Sequence, residues 1–263
     1  AFEGVDYALF AGTEGEKGAA VQLAREAISR GAIVIDNGSD FRLDPEVPLL
    51  VPEVNAEALE QHKGIVANPN CSTIQLVVSL APIAREFGVG KVVVSTYQAV
   101  SGAGRSGVEA LESGRDDAFA KPIVGNAIPL IGGVGEDGYT TEEKKMREES
   151  RKILGIPDLP VFATAVRIPV HTGHSESVYV ETERRASLPE VLEALGEAPG
   201  VVFSGDPADF PTPLEVAGEH GVCVGRVRVE DGSIGYWCVS DNLHKGAATN
   251  AVQIAESLVG ARV

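Results

Sequence analysis

The chain alternates short apolar runs with longer stretches of helical periodicity. VDYALF at 5–10 is a compact apolar run and predicts a strand. AAVQLAREAISRG at 19–31 places apolar residues at helical spacing and stops at Gly31, which predicts a helix. AIVIDN at 32–37 reads as a buried strand running into a turn. VPLLVPEVN at 47–55 reads as extended and punctuated by proline. GIVA at 64–67 predicts another short strand, and ANPNCSTIQ at 67–75 follows as a turn that carries Cys71 into the buried helix TIQLVVSLAPIAREF. Strand and helix alternating at this pace predict a parallel sheet with helices on its faces.

Beyond that helix the pattern changes. KVVVSTYQAVSGAG at 91–104 predicts a strand leading into a loop of small residues, and NAIPLIGG at 126–133 is loop-like. TTEEKKMREESRKILG predicts a strongly charged helix. VFATAVRIPVHTGHSESVYVETE at 161–183 is β-rich and alternates in places. SLPEVLEALGEAPG predicts a helix capped by Ser187 and preset by Pro189. GVCVGRVRVEDGSIGYWCVSDN predicts a hairpin turned at Glu230-Asp231-Gly232, and HKGAATNAVQIAESLVG an amphipathic C-terminal helix. The fold class is α/β: a nucleotide-type half, then a larger mixed half with long antiparallel strands, without an internal repeat or flexible linker.

Composition narrows the function classes. The 263 residues are 44% hydrophobic and 23% charged, with no run of eighteen apolar residues, which describes a soluble protein. The formal net charge of −16 argues against nucleic acid or anionic membrane as a partner, while leaving room for a local cationic pocket. Cys71, Cys223 and Cys238 have no CxxC spacing, so neither a disulfide framework nor a metal site is expected, and a reducing cytoplasm is.

Against that acidic background the chemistry-bearing residues stand out. Cys71 opens a helix, where the dipole and free amides favour a thiolate; the alternative is a small buried apolar residue. A thiolate nucleophile needs a proton-transfer partner, and His171 and His174 sit together in RIPVHTGHSES beside Arg167 and Glu176. Arg42 ends IDNGSDFR, at the carboxyl end of a strand where ligands gather in open sheets. Arg167 lies in an otherwise apolar strand, where a guanidinium calls for an anion. Glu142 and Lys145 share a helix face, and composition alone favours a surface salt bridge for them. GTEGEKG at 12–18, with Asp36 ending the next strand, mimics a dinucleotide fingerprint, and SGAG at 101–104 is a second loop where a ligand could approach the backbone.

Taken together, ANPNCSTIQ, STYQAVSGAG, the EExxK of TTEEKKM, RIPVHTGHSESV and SDNLHKGAATNAVQIAESL resemble the aspartate-β-semialdehyde dehydrogenase family, in order and from VDYALF to the C-terminus. The resemblance implies an incomplete Rossmann-type parallel-sheet domain (1–70 and 241–263) and an α+β catalytic and dimerisation domain (71–240) with a long mixed or antiparallel sheet. It implies NADPH-dependent reduction of L-aspartyl-4-phosphate to L-aspartate 4-semialdehyde, in the biosynthesis of lysine, threonine, methionine and diaminopimelate. Cys71 would carry the acyl-thioester, His174 the acid–base role, and Gln98 would orient the substrate. Arg167 and Glu142 would bind its carboxylate and amino group, and Arg42, Lys145 and Asn70 its phosphate. Gly12, Ser39, Ser101, Gly102 and Asn242 match positions that contact NADP(H). A homodimer or homotetramer is implied.

Two departures from the family pattern carry expectations. The chain starts at Ala1, its single methionine is Met146, and no N-terminal GxxGxxG loop is present, so the sequence predicts an N-terminally shortened form that binds NADP(H) poorly. GTEGEKG then falls on a later, nicotinamide-side loop and Asp36 is not the ribose acid. The segment from Leu111 to Asn126 also looks short. Two other readings stay open: N-acetyl-γ-glutamyl-phosphate reductase, whose substrate has no free amine and no need of Glu142, and a silent fragment acting as a dimerisation module.

Overall fold

The computed structural model describes residues 1–11, 18–115 and 117–260. The first strand, β1 (Tyr7–Phe10), pairs in parallel with β2 (Ile33–Asp36), and β2 with β3 (Ile65–Ala67). Helix α1 (Ala19–Ser29) crosses over between β1 and β2 and buries Ala20, Ala24 and Ala27, the apolar face that its periodicity predicts. The GTEGEKG loop lies outside the described residues except for Gly18, the N-cap of α1.

VPLLVPEVN is extended only in its first half. Leu49 bridges Ala67, but Pro52 then opens a single helical turn, α2 (Pro52–Asn55), followed by a 3-10 turn over Ala56–Gln61. Proline at the first helical position gives up an amide that would have no partner there, so it starts a helix rather than extending the strand. Asn55 closes the turn by accepting from Val51 N–H at 2.9 Å and donating to Leu49 O at 2.9 Å.

Helix α3 (Cys71–Phe87) is apolar nearly all round because it is covered on all sides. Its core partners include Val47, Leu49 and Val51 from the first unit and Val92, Val178, Val224 and Ile234 from the second. The second unit is a six-stranded sheet in the order β5-β4-β6-β9-β8-β7. β4 (Lys91–Gln98) lies parallel to β5 (Val161–Arg167) and antiparallel to β6 (His174–Glu181). β9 (Ser233–Ser240) lies antiparallel to both β6 and β8 (Val222–Glu230), and a short parallel strand β7 (Val201–Phe203) sits at the edge. The turn between β8 and β9 has two residues, Asp231 (φ 51°) and Gly232 (φ 88°), the positive-φ pair of a tight hairpin.

The small-residue loop after β4 is shorter than its composition suggests. A 3-10 turn (Val100–Ala103) passes directly into α4 (Gly104–Ser113), whose Gly107 and Ala110 are buried. Helix α5 (Thr141–Leu154) starts with a full capping box between Thr140 and Glu143 and stops at left-handed Gly155. Helix α6 (Leu188–Gly196) follows Ser187, also in a capping box, with Pro189 in its first turn. The C-terminal helical segment begins as a π-helical turn (His244–Ala248) and only then becomes α7 (Thr249–Gly260). Among the described residues no helix is long and apolar enough to cross a membrane.

Candidate active site

The site is built around the first turn of α3. Asn70 is its N-cap: the side-chain Oδ1 accepts from Ser72 N–H (3.0 Å) and Thr73 N–H (3.2 Å). Cys71 is therefore the first helical residue, at the positive end of the helix, beside a cavity of about 300 Å³. Asn70, Arg42, Gln98, Glu142, Lys145 and Arg167 line the same cavity, with Ser101, Gly102 and Asn242 at its rim. Residues scattered over about two hundred positions thus meet at one thiol.

Each arrives on a rigid element. Gln98 and Arg167 are register partners at the ends of β4 and β5. Glu142 and Lys145 are three apart on α5 and face the cavity together, so the surface salt bridge that composition favours does not form. Glu142 Oε1 instead accepts from Asn70 Nδ2 (3.0 Å) and Gln98 Nε2 (3.2 Å). Lys145 makes no ion pair among the described residues and is a free cation at the cavity wall. Arg167 is 5% exposed and also closes no ion pair with a described carboxylate; its Nη1 donates to Ala99 O at 2.6 Å. Burial weighs against its charge, and nearby Glu142 supports it.

The peptide of Ala99 holds His174 as well. Its N–H donates to His174 Nδ1 at 3.0 Å. A backbone N–H can only donate, so Nδ1 is unprotonated and the neutral ring carries its proton on Nε2. Burial, reinforced by Arg167, lowers the His174 pKa to about 3, so the ring is neutral at physiological pH. Nε2 is buried with no protein partner and lies behind Gly102, where an added Cβ would come within 3.0 Å of it and 2.8 Å of Arg167 Nη1. Only glycine leaves that corner open.

Cys71 differs from the expectation of a ready thiolate. Burial pushes the thiol up to about 12, with Glu142 adding to the rise and Arg167 and Arg42 opposing it. In the free enzyme it rests as a thiol, because the helix dipole is outweighed by the protein wall and a carboxylate. Gly246, in the π-helical turn, packs against it: a Cβ there would sit 3.0 Å from Cys71 Cβ.

Three expected contacts are partly committed elsewhere. Arg42 is 6% exposed and donates from Nε to Asn68 O (2.9 Å), from Nη2 to Asn37 O (2.8 Å) and from Nη1 to Glu149 Oε1 (3.1 Å). Ser101 and Asn242 bond each other, with Asn242 Nδ2 to Ser101 Oγ at 3.0 Å, and Asn242 Oδ1 also accepts from Gly173 N–H at 2.9 Å. That network holds the residue before His174 against the 3-10 turn. Ser39 sits in the loop after β2, where its carbonyl accepts from Arg42 N–H at 3.4 Å, and it does not line the cavity. Gly12 lies outside the described residues. Asp36 is buried and accepts from Gly38 N–H at 3.0 Å within its own turn. His171 is not at the cavity, and Cys238 is fully buried while Cys223 is half-buried.

Sequence reasoning missed Glu149, Ala99 and Gly246. Glu149 had a signal, since it lies seven residues after Glu142 and four after Lys145 on one face of α5. Ala99 acts through its main chain and had none.

The comparisons with known proteins identify the family. Residues 1–62 match the family described as semialdehyde dehydrogenase, NAD binding domain, and residues 80–245 the semialdehyde dehydrogenase, dimerisation domain. The chain is 50% identical to an aspartate-semialdehyde dehydrogenase of Bacillus subtilis over 98% of its own length and 80% of that protein's. A crystal structure of aspartate semialdehyde dehydrogenase II from Vibrio cholerae complexed with ASA superposes with a TM-score of 0.94 at 42% identity, covering 97% of this chain and 80% of that one. A Candida albicans aspartate semialdehyde dehydrogenase solved with NADP gives a TM-score of 0.76 at 26% identity, covering 97% and 77%. With both halves of the family matched and half of the residues identical over nearly the whole chain, the chain belongs to the aspartate-semialdehyde dehydrogenases.

Proposed function

We propose that the chain reduces L-aspartyl-4-phosphate to L-aspartate 4-semialdehyde through an acyl-thioester on Cys71, releasing phosphate. The observation that carries this reading is one small cavity that sorts its charges. Glu142 and Arg167 suit the ammonium and carboxylate of an amino-acid head, while Lys145 and Arg42 suit a phosphate. N-acetyl-γ-glutamyl-phosphate offers no ammonium for Glu142, which favours the aspartyl substrate. The same set of placed side chains speaks against a silent module.

Cys71 attacks the carbonyl of the acyl phosphate; the S–C bond forms as the C–O bond to phosphate breaks, and the thiol proton leaves with the departing phosphate. A substrate ammonium at Glu142 offsets the carboxylate that raises the thiol, which favours ionisation as the substrate binds. Lys145 and the unused N–H groups of Arg42 stabilise charge on the departing phosphate. Gln98, held at Glu142, orients the acyl group. His174 presents Nε2–H, so it donates a hydrogen bond toward the carbonyl oxygen that carries the negative charge; that oxygen re-forms the aldehyde carbonyl as the Cys71 thiolate leaves, and the thiolate regains its proton from solvent.

NADP(H) fits the residues present on the Gly102 side. The partnerless Nε2 of His174 and the corner that Gly102 keeps open lie beside the Ser101–Asn242 pair, where a nicotinamide would be held. When bound, it supplies the hydride that converts the thioester to a thiohemiacetal. The family description of residues 1–62 and the NADP-bound relative support this cofactor.

A homodimer or homotetramer is the assembly we assign. The sheet face opposite α3 carries Phe162 and Tyr179 at 56% and 42% exposure, on either side of Val93, with Tyr97 tilted against Trp237 farther along the same face. Three free thiols, one of them the nucleophile, fit a reducing cytoplasm. The deciding experiment is phosphate-dependent oxidation of L-aspartate 4-semialdehyde with NADP⁺. The parent chain turns over and Cys71→Ala does not; turnover by Cys71→Ala would overturn the thioester.

A further inference from the structure

Glu149 has no place in the chemistry just described, yet its carboxylate is set against two residues of the cavity wall at 1% exposure. It lies on the α5 face that carries Glu142 and Lys145. Its two oxygens serve two different elements. Oε1 accepts from Arg42 Nη1 at 3.1 Å, and Oε2 accepts from the main-chain N–H of Asn70 at 2.7 Å. Asn70 in turn caps the helix that begins at Cys71. One carboxylate therefore ties the arginine after β2 to the turn that aims the nucleophile.

A guanidinium has five N–H donors in a fixed fork. Three are spent on Asn68 O, Asn37 O and Glu149, one from each nitrogen. One N–H on each terminal nitrogen is left. Arg42 lines the cavity, so these are the donors an anion there would meet. Rotation of the fork is blocked by the three bonds, and Glu149 supplies the charged one.

We infer that Glu149 is the positioning residue of the phosphate site, holding the Arg42 guanidinium and the Asn70 amide in fixed relation so that the phosphate is gripped where Cys71 attacks. The inference rests on reading Arg42 as a phosphate ligand. Burial raises the Glu149 carboxyl above the ordinary carboxylate range, and Arg42 and the Asn70 amide pull it back down. Both partners of Glu149 are donors. A glutamine there can accept from one and must turn its NH₂ against the other, so Glu149→Gln breaks the clamp at nearly constant volume.

The test is steady-state oxidation of L-aspartate 4-semialdehyde with varied inorganic phosphate, for the parent, Glu149→Gln, Arg42→Ala and the double variant. Glu149→Gln raises the KM for phosphate about tenfold or more and leaves the KM for the semialdehyde within about twofold. In the Arg42→Ala background the same substitution adds less than it does in the parent, because only the Asn70 amide is then left to disturb. Glu149→Asp keeps the charge on a shorter arm and falls between, which keeps the test open should the glutamine variant fail to fold. An unchanged or lower phosphate KM in Glu149→Gln overturns the inference, as the bare removal of a negative charge would give. So does an equal rise in both KM values, or a full multiplicative effect in the double variant. Arg42→Ala with an unchanged phosphate KM overturns the phosphate reading itself.

Discussion

At the scale of single residues, the main surprise is how protonation is arranged. The sequence marks Cys71 as a candidate nucleophile by its place at a helix start and its distant partners, but it leaves the resting state of the thiol open. Local sequence shows a helix terminus that favours a thiolate; the surrounding wall and Glu142 come from elsewhere in the chain. Alkylation of the free enzyme by iodoacetamide at pH 7–8 is therefore slow and keeps climbing about tenfold per pH unit to pH 10. A rate that levels off near pH 9.5 would show an ordinary thiol instead, and one that levels off by about pH 8 a ready thiolate. His174 stays neutral in the free enzyme from about pH 3 upward. Its protonation thus gives kcat/KM no inflection near pH 6–7. His174→Asn lowers kcat by about 10²–10⁴ with little change in substrate KM, and a rise in KM at constant kcat would assign the ring to binding alone.

Among the elements, α3 shows why a helix that reads as uniformly buried carries polar residues. Cys71, Gln75 and Ser79 fall at i, i+4 and i+8, one polar line down a greasy helix. That line faces β6 and β9: Gln75 Oε1 accepts from Ser240 Oγ at 2.7 Å, and Ser79 Oγ meets Tyr236 Oη at 3.1 Å. Glu176, two residues after His174, accepts from Cys238 Sγ at 3.5 Å in the same layer. The helix is thereby held in rotation and height against the strand that bears His174. Periodicity gave the elements, but this match across the layers is a tertiary fact with no local trace. Glu176 tests it. Burial pushes its carboxyl up to about 8, against the pull of Cys238 and Gln75. The folded protein holds that proton between pH 4.5 and 8 while the unfolded chain releases it. Stability therefore falls as pH rises through that window, by up to about 1.4 kcal/mol per unit. Glu176→Gln matches the parent in urea midpoint near pH 5 and exceeds it at pH 8. A difference that stays constant between the two pH values would mean that Glu176 does not titrate as a buried acid.

The molecule as a whole joins its two sheets around α3 and the π-helical turn, and one buried cation holds that seam. Lys245 is fully buried, with Nζ 2.8 Å from both oxygens of Glu53, 3.0 Å from Asn250 Oδ1 and 2.7 Å from Gln253 Oε1. Three elements meet there: α2, the turn and α7. The loop between α6 and β7 packs on the same glutamate, since a Cβ on Gly200 would come 2.8 Å from Glu53 Cγ. The next residue after Lys245 is Gly246, which rests on Cys71. In the sequence HKGAATNAVQ reads as an amphipathic helix, where a lysine belongs to the wet face. Its burial depends on a glutamate about 190 residues upstream, so no window of sequence could reveal it. Ammonium and carboxylate out of water are each costly and tolerable only as a pair, and burial indeed weighs against the Lys245 charge while Glu53 supports it. Lys245→Met therefore leaves Glu53 without its cation and costs about 3–5 kcal/mol. At roughly 2–4 °C per kcal/mol for a chain of this size, the Tm drops by about 10 °C. The double variant Lys245→Met, Glu53→Leu replaces the pair with apolar contact and recovers most of that loss. Calorimetry of both variants decides it: a Lys245→Met chain within about 1 kcal/mol of the parent, or a double variant no better than the single one, would show that the seam is held by packing and not by this ion pair.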